Sequence, residues 1–144
     1  MCASGCFDLL HPGHIRLLEQ ARNLGDILVV AIESDAAVRA RFQKANASIR
    51  NAAARPVTPA GERTEILAAL AAVDYVTEFE GESPLSFLAR LLPDVVIGGS
   101  AGTNGIAGRE ANDLARMGCK IVRVPLEPGY STEFLIQRIL ESHS

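Results

Sequence analysis

A chain of 144 residues, 48% hydrophobic and 22% charged, has the length and composition of one folded domain and not of a disordered segment. Its net charge of −3 excludes a protein that grips a duplex by neutralising successive phosphates, but not one that holds a small anion with a few local donors. No apolar run approaches the ~18 residues of a membrane span and no leader pattern opens the chain, so the expectation is a cytoplasmic protein with neither membrane nor nucleic-acid partner.

Short apolar runs alternate with stretches of helical period. The chain opens on "MCAS", a first strand that is either unusually short or preceded by residues outside this sequence. "GCFDLLHPGH" follows, with Pro12 and Gly13 between His11 and His14. Residues 12–24 carry Ile15, Leu17, Leu18 and Ala21 at helical spacing, and Gly25 is expected to cap them. Residues 26–34, "DILVVAIES", form a β-branched run of the kind buried on both faces of a parallel sheet. A short helix over 36–43 comes next, then a loop over 43–58 rich in Ala, Asn and Arg.

A helix over 60–72 presents Ile66, Leu67 and Leu70 on one face and precedes a strand at 74–79. Ser83 is placed to cap a helix over 84–92, with Pro84 at its tolerated first position. A strand at 93–99, a Gly-rich loop at 100–107 and a helix over 108–117 ending at Gly118 follow. The last elements are a strand at 119–125 and a helix over 132–142. Such alternation predicts a single Rossmann-like α/β domain over 1–144, doubly wound, with a parallel sheet of five strands in order 3-2-1-4-5. Ligands of such sheets bind beyond the carboxyl ends of the strands, where the opening decapeptide and both irregular loops emerge. Cys2, Cys6 and Cys119 have no paired spacing and read as reduced packing residues.

The decapeptide carries the chemistry. Pro12 supplies a helical φ without a wasted N–H, and Gly13 lets another group approach the backbone closely. His11 starts the helix and His14 lies one turn on, so both rings can face the helix N-terminus, where free N–H groups favour an anion. Two imidazoles there suit a phosphoryl group whose charge grows in a transition state. Spacing alone leaves another reading open, with His11 as a cap and His14 on the surface. Two histidines without a third ligand fall short of a zinc site, so no metal site of the protein's own is expected.

These residues carry a resemblance. "GCFDLLHPGHIRLLEQARNLGDILVVAIESD" resembles the start of the cytidylyltransferase-like nucleotidyltransferases, marked by H-x-G-H. "RPVTPAGERTEILAALAAVDYV", "PDVVIGG" and "VPLEPGYST" extend it over nearly the whole chain, toward the heptose 1-phosphate adenylyltransferases within that family. The resemblance implies ATP with Mg²⁺ as cofactor, a sugar 1-phosphate as acceptor, and a homodimer. It implies His11, His14 and Arg63 as catalytic residues. Cys6, Phe7, Gly13, His14, Gly98, Gly99, Tyr130, Ser131 and Thr132 would bind the nucleotide, and Asp8, Asp35, Lys44 and Arg55 the substrate. Asp35 also fits the start of the short helix over 36–43.

The chain departs from the family at three places. The usual Lys-Gly-Gly-Asp run after the fourth strand is here "VIGGSAGT", which offers Gly98 where the lysine stands. The final "STT" is "STE", which puts Glu133 near the phosphates. The loop over 43–54 is long, with Lys44, Arg50 and Arg55 as candidates for its basic contact. These departures leave two alternatives standing: a CTP-dependent enzyme acting on an alditol or alcohol phosphate, and a nucleotide-binding relative without catalysis.

Overall fold

The computed structural model describes residues 1–45, 55–81, 83–99, 106, 108–125 and 127–143. Five parallel strands form one sheet in the order β3-β2-β1-β4-β5: β1 is Cys2–Gly5, β2 Val29–Glu33, β3 Tyr75–Phe79, β4 Val95–Gly99 and β5 Lys120–Val124. Among the described residues six helices follow the strands, two of them between β2 and β3: α1 Pro12–Arg22, α2 Asp35–Ala45, α3 Ala60–Ala68, α4 Leu85–Leu91, α5 Gly108–Arg116 and α6 Thr132–Glu141. The fold class and strand order are those expected. Arg50 and nearly all of the Gly-rich loop fall outside the described residues.

Side chains alternate across a strand, so the central strands feed two cores. Ala3, Val30, Ile32 and Ile97 pack with Leu18 and Ala21 of α1 and with Ala60 and Leu67 of α3. Their neighbours Cys2, Ala31 and Val96 pack on the opposite face with Leu88 of α4 and Leu114 of α5. The reversal of strand order lies between β1 and β4, which pair at Cys2 with Val96 and Ala3 with Ile97. The crevice at their carboxyl ends is where the chain leaves β1 for α1.

The thiols behave as packing residues. Burial pushes the Cys2 thiol up to about 12 and raises that of Cys6, so neither is a thiolate at neutral pH.

Several boundaries differ from expectation, each for a physical reason. The first helix ends at Arg22 with Asn23 as cap. Gly25 has no left-handed φ, so it is not the cap; a Cβ there would lie 2.8 Å from Met1 Sδ, which the flexible methionine would have to yield. Gly118 does adopt the expected left-handed conformation after α5, at φ 89°. The helix after β2 starts at Asp35, because Ser34 Oγ accepts from Ala37 N–H at 3.1 Å and so serves as its N-cap. It runs on through Ala45, so Gln43 and Lys44 are helical and not part of a loop. Ser83 Oγ accepts from Leu85 N–H at 3.1 Å, the expected local bond, but Pro84 rather than Ser83 is the cap residue of α4.

Candidate functional site

β1 ends at Gly5, and the chain turns sharply, with Phe7 and Leu9 both left-handed at φ 52° and 49°. Side chains seldom tolerate that region, so the turn is held by its surroundings. It buries the Phe7 ring, whose centroid lies 5.3 Å from that of His14. It also turns Asp8 inward, where the carboxylate is fully enclosed. Asp8 Oδ2 accepts from Arg55 Nε at 2.6 Å and Val57 N–H at 2.8 Å, and Oδ1 accepts from Thr58 N–H at 2.9 Å. Burial works to raise this carboxyl, but the two N–H groups and the guanidinium outweigh it and hold Asp8 below the usual carboxylate range.

His11 is the cap residue of α1, and its carbonyl accepts from His14 N–H at 2.9 Å. His11 N–H donates in return to His14 Nδ1 at 3.3 Å. With Nδ1 accepting, the neutral His14 ring carries its proton on Nε2, leaving that N–H as a donor. The two rings stack with centroids 3.8 Å apart. Burial, reinforced by its neighbour His11, lowers the His14 pKa to about 3, with Asp8 opposing. Burial also lowers His11, against the opposing field of Glu133. The pair is therefore neutral at pH 7 and can offer ring N–H donors rather than cations. His11 Nδ1 is buried without a hydrogen-bond partner.

Gly13 makes this geometry possible. A Cβ on it would lie 3.0 Å from the His11 ring and 3.1 Å from Tyr130 Cβ. Gly13→Ala is expected to keep α1, since alanine is the better helix former by about 1 kcal/mol, while pushing the His11 ring aside. Turnover should fall roughly tenfold or more, because small misplacements of a positioned group are costly. Steady-state rates beside a thermal melt check both halves.

Acid should unfold the protein through this site. An unfolded histidine titrates near ~6.5, whereas His14 in the fold does so at about 3. Between those values the unfolded chain binds a proton that the fold refuses, so stability is full above ~6.5 and is lost as pH falls toward 3. Asp8 adds a loss of the same sign at lower pH, and the burial-raised Glu33 carboxyl opposes it. Denaturant midpoints at about pH 7.5 and about pH 5 should differ, and His14→Gln should shrink the difference.

The N-terminus of α6 is tied to the same turn. Ser131 caps α6 with Oγ accepting from Phe134 N–H at 3.0 Å. Thr132 Oγ1 donates to the Asp8 carbonyl at 2.8 Å. With Tyr130 against Gly13, these contacts bring the N-termini of α1 and α6 together, each with N–H groups that favour an anion. Arg16 lies 5.0 Å over the Tyr130 ring and pairs with Glu127 at 2.9 Å. A cleft of about 470 Å³ opens beside His11, against Leu10, Pro12, Ile15, Arg16 and Glu19. Gly98 and Gly99 end β4 across the crevice, and a Cβ on Gly98 would meet nothing within 4 Å.

Two of the expected site residues are held by partners within the fold. Arg63 is 1% exposed. Its Nε donates to the Thr58 carbonyl, Nη1 to the carbonyls of Cys6 and Glu33, and Nη2 to Asp35 Oδ1, all within 2.9 Å. It pins the ends of β1 and β2 to the segment before α3, and is a positioning residue. Asp35, carried forward as ligand contact or helix start, is the first residue of α2. Its carboxylate accepts from Arg63 and from Ala60 N–H at 2.9 Å, so it caps α3 from across the sheet edge.

Lys44 is exposed in the last turn of α2. Arg55 lies in the cluster, 9% exposed, between Asp8 and Glu133. Sequence reasoning overlooked Phe42, whose ring lies 4.4 Å below the Arg55 guanidinium, and Glu33, which pairs with Arg41 at 3.1 Å. Nothing in their local pattern marks them, since Arg55 meets Phe42 from beyond α2 and Arg41 of α2 reaches back to Glu33 at the end of β2.

A family model described as cytidylyltransferase-like matches residues 2–138. The chain is 44% identical over 136 residues to the bifunctional protein HldE of Koribacter versatilis, covering 94% of this chain and 26% of the relative. It is 41% identical over 142 residues to the HldE of Pelobacter propionicus, covering 98% and 27%. The chain thus spans about a quarter of the length of the curated relatives it matches. A lipopolysaccharide core biosynthesis protein from Thermoplasma volcanium aligns with a TM-score of 0.65 at 25% identity, over 88% of this chain and 93% of its own. Pantothenate synthetase from Thermus thermophilus, at 19% identity and a TM-score of 0.54 over 86% of this chain and 55% of its own, shares the fold.

Proposed function

The chain belongs to the cytidylyltransferase-like family of nucleotidyltransferases, and from that premise we propose that it transfers AMP from ATP to a sugar 1-phosphate, D-glycero-D-manno-heptose 1-phosphate or a close relative. The observation that carries this reading is the stacked, neutral pair His11 and His14 at a helix N-terminus that a second helix N-terminus adjoins. The "RP…ER" and "GYST" blocks support the sugar, as does the likeness to a lipopolysaccharide core biosynthesis protein.

A phosphate oxygen of the acceptor attacks the α-phosphorus of ATP in line. One P–O bond forms, the bond to the β-phosphate oxygen breaks, and pyrophosphate leaves with the electron pair. The second pKa of a phosphate monoester is near ~6, so the nucleophile is already ionised and needs no general base. A His14 that titrates at about 3 fits that demand: it is too weak a base to take a proton, yet its neutral ring has an Nε2–H to offer. The protein's work is positioning and stabilisation of developing negative charge.

Among the described residues no group of three His, Cys, Asp or Glu could hold a metal ion. Mg²⁺ enters this scheme as part of the MgATP substrate, held by the phosphate oxygens. The homodimer implied by the resemblance is part of the same proposal, and light scattering reads it directly.

Pyrophosphate release with MgATP and heptose 1-phosphate, with mass analysis for ADP-heptose, tests the reading. Parallel reactions with CTP and with alditol phosphates test the nearest rival. Binding of MgATP with no release on any sugar phosphate would leave a nucleotide-binding protein without this catalysis.

A further inference from the structure

We propose that Glu133 is an internal anion that occupies Arg55 until the phosphates of the nucleotide displace it, and that it thereby sets the affinity of the site for phosphate. This inference rests on the nucleotidyltransferase reading above and identifies a residue that tunes it.

Two carboxylates share one guanidinium. Arg55 Nε donates to Asp8 Oδ2 at 2.6 Å, and Arg55 Nη1 faces Glu133 Oε1 at 3.5 Å. The two partners differ in what holds them. Asp8 is fully enclosed and also accepts from Val57 and Thr58 N–H, so its removal would strand buried donors. Glu133 is 70% exposed in the first turn of α6, and its contact is long. A 3.5 Å contact whose carboxylate lies mostly in solvent holds that carboxylate weakly. Phe42 lies against the guanidinium, so Arg55 stays in place whichever anion it meets. Only Glu133 is replaceable.

The position of Glu133 makes the replacement matter. Its field reaches His11, where it opposes the effect of burial, so the carboxylate lies within electrostatic range of the histidine pair. A phosphate approaching those rings meets a like charge, and one that reaches Arg55 Nη1 competes there with Glu133. Removing that charge has two effects of the same sign: it ends the repulsion and it frees a donor.

Titration calorimetry of MgATP and of inorganic pyrophosphate into wild type, Glu133→Gln and Glu141→Gln tests this. Glu141 lies at the far end of α6, and its variant changes the net charge identically. Glu133→Gln should bind both ligands about fivefold more tightly than wild type, with the gap narrowing as salt rises. Glu141→Gln should match wild type, and thermal melts of both variants should overlay it. Equal affinity in Glu133→Gln overturns the inference, and so does an equal gain in Glu141→Gln. Weaker binding overturns it as well, since the carboxylate would then be engaging the nucleotide or its cation. Each of these leaves the functional reading intact. Absence of binding of either ligand to both wild type and Glu133→Gln overturns the inference and the nucleotidyltransferase reading together.

Discussion

Replacing His14 with alanine is expected to lower turnover about 10²–10³-fold, the usual cost of deleting one oriented donor to a charge that grows in the transition state. His14 Nδ1 is engaged by His11 N–H, which leaves Nε2–H as the remaining donor. The ring sits against Phe7 and His11, so the variant loses packing as well, and a melt must show that the fold survives. His14→Gln keeps an N–H at a comparable reach and should recover part of the loss. Because His14 titrates at about 3, it contributes no rate change near neutrality. A loss below about tenfold in a folded variant would remove His14 from the catalytic role. So would a rate limb near ~6.5 that disappears with the ring, since it would make the imidazole an acid or base instead of a neutral donor.

The second large effect is on stability. Arg63→Met keeps the length of the side chain but leaves two buried carbonyls, the half-buried Thr58 carbonyl and the Asp35 carboxylate without their donor. Breaking a buried charged network from one side costs about 3–5 kcal/mol, a large share of the ~5–15 kcal/mol that holds a domain together. At roughly 2–4 °C per kcal/mol for a chain near this size, the melting temperature should fall by about 10 °C. Arg63→Lys retains the charge but cannot present the planar fork, and should melt between wild type and Arg63→Met. Calorimetry or circular dichroism reads the effect without any substrate. If Arg63→Met melts like wild type and loses only activity, the guanidinium belongs to the ligand after all.

Local pattern made the strands legible. "LVVAI" has no polar interruption because a strand between two helical layers is dry on both sides, and the same logic identified β4 and β5. The histidine pair was legible too, since Pro-Gly between two histidines at a strand end specifies a helix start and a bare backbone. Misreadings arose where one residue type serves two purposes. Gly25 looks like a helix cap in sequence, yet its backbone is not left-handed and its neighbour is the Met1 side chain. The resemblance alone puts Arg63 at the phosphates, and no local pattern announces its partners, which lie 5, 28, 30 and 57 residues away. Periodicity reports which face a residue occupies and carries no word of what the other element brings.

Alone, the sequence determined the α/β class, the order of its elements, the His11–His14 pair and the capped start of α6. All of these depend on neighbours within a few residues, through backbone preference, spacing and the pleat. Only the tertiary structure decided that both histidines are neutral, that Asp8 joins the turn after β1 to the segment before α3 and to α6, that Arg63 is a staple, and that Arg55 meets Glu133. Those properties depend on burial and on charges delivered from far along the chain: Thr132 reaches Asp8 across 124 residues. A protonation state belongs to the environment of a group, and that environment exists only once the distant segments have met.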